Sequence, residues 1–366
     1  MNSKIAVIAL TAQGLVTAER IKKKLLHPHR DTNHYHSSSD LPSSAYTVEI
    51  FHHEHCGEKE HSFKQLRELV PRIWAQFPIL IFVMAAGIVV RQVSPLLQSK
   101  AVDPAVLVVD ENAKFIIPLV SGHLGGANAW AREIAGLLEA TAVITTATDG
   151  QGLVAPDEYA RRLGWTITPL KQLPRLNRLL LEQKHLSVWS EPWLDPKHPL
   201  ASDPSYRFVS EREKADLILT AFPLARSDSD EKVYLIPRIL SLGIGCRRHS
   251  EAAVIHEGIR QALARIKAPA EALKGIFSID LKAEESGLIQ AAADLGIPFQ
   301  TFNPAEIQAV NDKYQLSKSD FVRKKIGVDG VCEATSLLGI RKGKLILPKL
   351  KLNGVSLAIS QEEFIL

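Results

Sequence analysis

From residue 5 to residue 149, short apolar runs rich in β-branched residues alternate with segments of helical spacing. That alternation admits few folds besides a parallel sheet flanked by helices. Strands are predicted at residues 5–10, 46–51, 79–84, 105–109 and 142–145, with a further strand at 115–117, and helices at 15–26, 63–76, 88–98 and 127–138. The regularity weakens between Gly150 and Tyr234, where prolines punctuate short strand-like pieces at 186–189 and 217–220. Near Pro237 a second α/β series opens: strand 239–244, helix 250–265, strand 276–279, helix 284–295, strand 299–302, then helices and a closing pair near 345–347 and 355–359. The expected architecture is α/β: an N-terminal open parallel sheet flanked by helices (1–149), an irregular central α/β domain (150–236) and a separate C-terminal α/β domain (237–366). A chain of 366 residues exceeds what one hydrophobic core usually supports, which agrees with several domains. No period of 20 to 50 residues suggests repeats.

Charge narrows the partners. With 44 basic and 40 acidic residues, and no long basic run interleaved with aromatics, nucleic acid is not an expected partner. The small surplus still suits a polyanionic small molecule steered by local cations. Cys56, Cys246 and Cys332 lie far apart with no C-x-x-C pair, so neither a disulfide framework nor a structural zinc site is expected. A reducing, cytoplasmic setting fits. Residues 5–10 have only Lys4 as a preceding basic residue and no small-residue cleavage site, so they read as a buried first strand and not as a signal core. The apolar stretch 79–90 is too short to span a bilayer and is interrupted by Gly87, so no membrane association is expected.

Eight of the thirteen histidines fall between His27 and His61, including His52, His53 and His55 beside Cys56. Imidazole and thiolate are good metal ligands, but no regular ligand spacing is present, and the alternative is a solvated surface insertion. No metal site is assigned.

The most informative stretch is Ser121-Gly122-His123-Leu124-Gly125-Gly126-Ala127-Asn128, which leads into an amphipathic helix. Its glycines let the backbone approach a ligand, and free N–H groups at a helix start favour an anionic oxygen. The plainer reading is a tight, capped strand-to-helix turn. A second stretch, Met84 to Arg91, joins strand to helix through small residues including Gly87; Arg91 is either a fork for a substrate carboxylate or a solvated helix arginine. A third, Thr145-Thr146-Ala147-Thr148-Asp149, is a turn cluster or a device that positions the His123 ring. In the C-terminal part, Gly243-Ile244-Gly245-Cys246-Arg247-Arg248 follows a strand, Ser278 to Glu285 sits at another strand end with Asp280 and Lys282, and Lys349 lies near a later one. Glycine turns at the carboxyl ends of parallel strands are where ligands gather.

Standard nucleotide signatures are missing. The first strand is followed by Thr11-Ala12-Gln13-Gly14-Leu15, which lacks the remaining glycines of the dinucleotide fingerprint, and there is no G-x-x-x-x-G-K-[ST] and no G-x-S-x-G.

Taken in order, the 85–91, 121–128, 145–149, 243–248 and 278–285 segments resemble the cobalt-precorrin-5A hydrolase family of anaerobic cobalamin biosynthesis. The resemblance implies an N-terminal domain, a less regular centre and a C-terminal domain that also exists alone in related pathways. It also implies an acetaldehyde-forming hydrolase that acts on a carbon–carbon bond in a ketonic-type substrate. Such an enzyme opens the δ-lactone of cobalt-precorrin-5A and expels the extruded meso carbon with its methyl as acetaldehyde, giving cobalt-precorrin-5B. The partners are then the corrinoid substrate and neighbouring enzymes of that pathway. No cofactor is needed, because cobalt arrives with the substrate.

Ester hydrolysis requires a base near neutral pH and donors for the tetrahedral oxyanion. His123 is expected as that base, with Ser121 and Asp149 in the catalytic set and the Gly125 and Gly126 amides as the oxyanion site. Arg91, Arg247, Arg248, Lys282 and Lys349 are expected to hold peripheral carboxylates of the substrate. Gly87, Gly122, Asn128, Thr146, Gly243, Gly245, Cys246, Ser278, Asp280 and Glu285 complete the expected binding surface. The histidine-rich segment matches nothing in the family and has no place in this mechanism. Two other readings are a non-catalytic corrinoid carrier and a nucleotide-binding regulatory α/β protein.

Overall fold

The structure is a computed structural model, and it describes residues 4–27, 46–57, 61–100, 102–191, 198–223 and 232–363. The chain divides into two compact units, Met1–Leu163 with Asn177–Lys184, and Gly164–Leu176 with His185–Leu366.

In the first unit β1 (Lys4–Ala9), β2 (Thr47–His53), β3 (Ser62–Phe63), β4 (Ile79–Val83), β5 (Ala105–Val109), β6 (Phe115–Val120) and β7 (Thr141–Ala142) form one sheet in the order β3-β2-β1-β4-β5-β6-β7. Alternate side chains on a strand point to opposite faces, and both faces are covered, as a parallel sheet demands. Ile5, Val7, Ile79, Ile81, Leu107 and Val109 pack with Ile21, Leu25, Trp130 and Ile134 of the helices Ala12–Leu26 and Ala127–Leu138. On the other face Ala6, Ile8, Leu80, Phe82, Val106 and Val108 meet Leu69, Ile73, Val89 and Val93 of the helices Leu66–Trp74 and Ala86–Val93. Thr11 starts the first helix three residues earlier than the apolar spacing indicates, because its hydroxyl accepts the Gly14 N–H at 3.0 Å.

One pairing breaks the parallel order. β6 runs antiparallel to β5, with Val106 opposite Val120 and Val109 opposite Ile116. The reversal is made by residues 110–114, where the Asp110 carboxylate accepts the N–H groups of Asn112, Lys114 and Phe115 and Ala113 takes a positive φ of 55°. So short a connection cannot make a parallel crossover. β7 in turn runs parallel to β6. The carboxyl ends of β6 and β7 therefore share one rim of the sheet, beside the amino ends of β4 and β5. The expected strand at 115–117 is longer than its apolar core suggests, and the one expected at 142–145 stops at Ala142.

In the second unit β8 (Thr166–Thr168), β9 (Leu186–Ser190), β10 (Tyr206–Phe208), β11 (Leu217–Leu219) and β12 (Val233–Ile236) form a sheet ordered β10-β9-β11-β12-β8, parallel except for β8. The centre is more regular than its prolines suggest, because Pro169 and Pro204 fall between strands and Pro199 opens a helix turn. A third sheet holds β13 (Leu240–Cys246), β14 (Leu273–Ile279), β15 (Phe299–Phe302), β16 (Gly343–Leu352) and β17 (Val355–Glu362) in the order β15-β14-β13-β17-β16. β13, β14 and β15 are parallel, while β17 is antiparallel to both β13 and β16. Ile218, Tyr234 and Ile236 of the second sheet share one apolar cluster with Leu240, Leu242 and Ile244 of β13.

Of the histidine-rich stretch, residues 28–45 and 58–60 lie outside the described residues, and His29, His34 and His36 with them. His53 and His55 stack at 4.6 Å. Among the described residues no three histidine, cysteine or acidic side chains converge on a point where a metal could sit, and no helix is long and apolar enough to cross a membrane.

Candidate functional site

The shared rim of β6 and β7 brings together segments that lie apart in sequence. The chain leaves β6 through Ser121, which takes a positive φ of 57°, and enters the helix Ala127–Leu138 through Gly126 at φ 82°. A Cβ on Gly125 would lie 2.4 Å from the Ser121 Cβ, so only glycine closes this loop. The Ser121 hydroxyl donates to the Asp103 carbonyl at 3.0 Å. Ser121, expected in the catalytic set, therefore anchors the loop to the start of β5 and presents no nucleophile.

The expected oxyanion site also changes. The Gly126 N–H donates to the His123 carbonyl at 3.0 Å, the Ala127 N–H to Ser121 at 3.1 Å and the Asn128 N–H to Gly122 at 3.0 Å. The helix start is thus capped by its own loop, and Gly126 has no amide left to offer an oxyanion. The amide of Gly125 has no acceptor among the described residues.

His123, with 13% of its side chain exposed, lies between two carboxylates. Its Nε2 is 3.2 Å from Asp149 Oδ2, and its Nδ1 is 3.4 Å from Asp157 Oδ1. The Thr148 hydroxyl lies 3.3 Å from Nε2. Asp149 is held by further donors: Asn128 Nδ2 at 3.0 Å, the Thr146 hydroxyl at 2.7 Å and the Arg132 guanidinium. Asn128, almost fully buried, also donates to the Thr146 hydroxyl at 2.8 Å. Asp157 opens the helix Pro156–Leu163, is 2% exposed, and lies 3.7 Å from Lys100 Nζ through Oδ2. The neighbouring Glu158 pairs with Arg161 and Arg162.

These contacts decide the charge state. Burial works against a charged His123, but its hydrogen bond to Asp149, its close contact with Asp157 and the negative charges of Asp157 and Glu158 outweigh it and raise its pKa to about 9. Burial likewise opposes ionisation of the two aspartates, yet His123, Thr146 and Arg132 hold Asp149 well below the usual carboxylate range, and His123 with Lys100 lowers Asp157. At neutral pH His123 is an imidazolium. The expectation of a resting base is corrected accordingly: this ring starts with a proton to give.

A cavity of about 160 Å³ opens beside it, lined by His123, Arg132, Asp149, Glu158, Arg162 and the 152–155 backbone segment. Asp157 is not part of that lining. The volume is below the several hundred Å³ of a pocket that swallows a whole cofactor-sized ligand. It has room for the edge of a larger molecule, and its two lining arginines, Arg132 and Arg162, are paired with Asp149 and Glu158.

Gly87 and Arg91 fare differently. Gly87 opens its helix at the carboxyl end of β4, the opposite rim from the 121–126 loop, so it does not belong to the His123 site. Arg91 is exposed further along the same helix and makes no ion pair among the described residues.

The C-terminal motifs form a cluster of their own at the carboxyl ends of β13 and β14. Gly243 lies inside β13, where a Cβ would sit 1.8 Å from the Cys332 carbonyl oxygen of the helix Cys332–Leu338, so it is a packing glycine and not a ligand turn. Gly245, one turn of the pleat onward, has open space. Ser278 is fully buried and donates to the Ile244 carbonyl at 2.7 Å, which withdraws it from the expected binding surface. Lys282 is tied to Glu285 at 2.7 Å, and Glu285 accepts the Ser250 N–H at 3.2 Å, so that ammonium is already neutralised. Burial pushes the Cys246 thiol pKa up, with Lys282 pulling the other way. Arg247, Arg248 and Asp280 are exposed at this rim. Lys349 lies within β16, not at a strand end, at a pairing irregularity between Leu347 and Leu350; its N–H donates to the buried Glu333 carboxylate at 3.0 Å.

Three family models match the chain in succession: Cobalamin synthesis G N-terminal over residues 68–149, Cobalamin biosynthesis central region over 154–237 and Cobalamin synthesis G C-terminus over 240–360. The chain is 30% identical over 307 residues to the cobalt-precorrin-5A hydrolase of Priestia megaterium, covering 81% of each protein. It is also 30% identical over 361 residues to that of Salmonella typhimurium, covering 97% of each. The chain belongs to the cobalt-precorrin-5A hydrolase family. A shorter relative, Protein CobE of Sinorhizobium sp, is 30% identical over 112 residues, 30% of this chain and 72% of that one.

Within this cobalt-precorrin-5A hydrolase family member, His123 and Asp149 fall in the N-terminal match and Asp157 in the central one. Sequence reading brought His123, Asn128, Thr146 and Asp149 to one place, and missed Arg132, Thr148, Asp157 and Arg162. Arg132 stands four residues after Asn128 on the same helix face, a signal available from spacing. Asp157 and Glu158 follow Pro156 at a helix start, which marks that helix but not its partner.

Proposed function

We propose that this chain opens the δ-lactone of cobalt-precorrin-5A and releases acetaldehyde, with His123 as the proton carrier. The observation that supports this most directly is a His123 ring held between two carboxylates and lining a small cavity together with Arg132. Membership of the family supplies the substrate class.

Water adds to the lactone carbonyl and releases one proton to solvent, the carbonyl carbon–oxygen bond to the ring oxygen breaks, and the departing oxygen takes the Nε2 proton of His123. The product is a carboxylic acid and a free secondary alcohol. The imidazole, now neutral, recovers a proton from that hydroxyl as the carbon–carbon bond breaks. Acetaldehyde leaves, and the bond's electron pair passes into the conjugated macrocycle, which brings its own cobalt. One ring nitrogen therefore serves first as acid and then as base. Only the lactone edge enters the cavity in this reading.

The direct test is incubation of the purified protein with cobalt-precorrin-5A, with trapping of acetaldehyde. Stoichiometric release with turnover is expected. Tight binding of the corrinoid without any acetaldehyde would replace hydrolysis with carriage.

A further inference from the structure

The two carboxylates flanking His123 are not equivalent. Asp149 lines the cavity and has Asn128, Thr146 and Arg132 to satisfy it if the imidazole proton leaves. Asp157 stands behind the ring, 2% exposed and off the cavity wall, with Lys100 at 3.7 Å as its other charged neighbour. A carboxylate so buried is costly unless a partner stays charged or donates to it. Asp157 Oδ1 is buried with no hydrogen-bond partner among the described residues, and Nδ1 at 3.4 Å is the group placed to satisfy it, whereas Asp149 can give up Nε2.

We propose that Asp157 is the positioning residue of the reaction: it fixes the His123 ring through Nδ1–H and so leaves Nε2 as the nitrogen that exchanges its proton with substrate. This inference rests on the acid–base role given to His123 above. It adds a residue outside the segments in which the sequence placed catalysis. The logic is that of any buried acid behind a catalytic imidazole, which selects the tautomer and supports the cation without touching substrate. The helix start at Pro156 favours an ionised Asp157, since the N-terminal dipole stabilises negative charge. The charged groups facing His123 are Asp149, Asp157 and Glu158, backed respectively by Arg132, by Lys100 and by Arg161 with Arg162.

The test has an arm that does not depend on turnover. Ring-nitrogen NMR of histidine-labelled protein, with His123 assigned through H123Q, reports protonation at each nitrogen. In D157N the His123 pKa is expected to fall by about one unit or more, and the neutral ring to lose its fixed Nδ1–H form. In D149N the pKa also falls but the Nδ1–H form persists. On cobalt-precorrin-5A, D157N is expected to lose about 100-fold or more in kcat with KM little changed. If D157N keeps the parental titration and tautomer, while D149N loses the Nδ1–H form, the assignment is overturned. Should D157N fail to fold, D157E keeps the charge on a longer arm; it is expected to retain the imidazolium and lose kcat, and parental kcat in D157E would also overturn the assignment. A parent that yields no acetaldehyde defeats the proposed function, yet the NMR arm still decides whether Asp157 holds Nδ1.

Discussion

The Cys332 carbonyl oxygen crosses β13 so closely that a Cβ on Gly243 would lie 1.8 Å from it. The helix Cys332–Leu338 therefore packs directly on strand backbone, with the Thr335 hydroxyl and Ser336 N–H within 2.7 Å of the same point. Gly243→Ala is expected to cost about 3 kcal/mol or more, because backbone on both sides must give way. Gly245→Ala, at an open position, is expected to cost less than about 1 kcal/mol. Urea unfolding of the two variants measures the difference, and equal midpoints would contradict this packing.

His123→Gln removes the proposed proton carrier while keeping much of the side-chain volume. Acetaldehyde release is expected to fall about 100-fold or more, with corrinoid binding retained. An H123Q protein that turns over at the parental rate places the chemistry elsewhere.

The charge on His123 also contributes to stability. Its pKa is raised to about 9 in the folded protein from an unfolded value of 6.5, so the contribution is full below pH 6.5 and is lost as pH rises through 9. The two aspartates are shifted downward, so their contribution is present above the ordinary carboxylate range and fades only in strong acid. These shifts describe one shared interaction and are not additive. The melting temperature is expected to drop between pH 7 and pH 9.5, and H123Q should flatten that limb. A parent whose melting temperature rises across this window would show that His123 is not held as a cation.

At the C-terminal rim, exposure separates binding from architecture. Arg248→Ala is expected to raise KM several-fold and to weaken its salt dependence, with stability unchanged. Ser278→Ala should do the reverse, costing about 1 kcal/mol through the lost bond to Ile244 while KM stays put. Steady-state kinetics at two salt concentrations, paired with thermal melts, tell the two apart.

Much of the fold was legible because the apolar runs of β1, β4 and β5 are buried on both faces, and such runs look alike in any parallel sheet. β5 and the helix Ala127–Leu138 match their predicted limits, and so does β15. The direction of β6 was readable in principle, since residues 110–114 are too few for a crossover. The site was only half legible. Asn128, Thr146 and Asp149 follow from glycine and turn chemistry near His123, whereas Asp157 comes from a segment whose only local signal is a helix start. The expected roles of Ser121, Gly243 and Ser278 failed for one reason: small and hydroxyl residues at strand ends close a fold as readily as they meet a ligand.

The reversed course of β6 has a further consequence. The loops after β1 and β4 open on one rim of the first sheet, and the His123 turn opens on the other. Substitutions, insertions or fused peptides in residues 10–13 or 84–87 therefore alter the rim opposite the His123 turn.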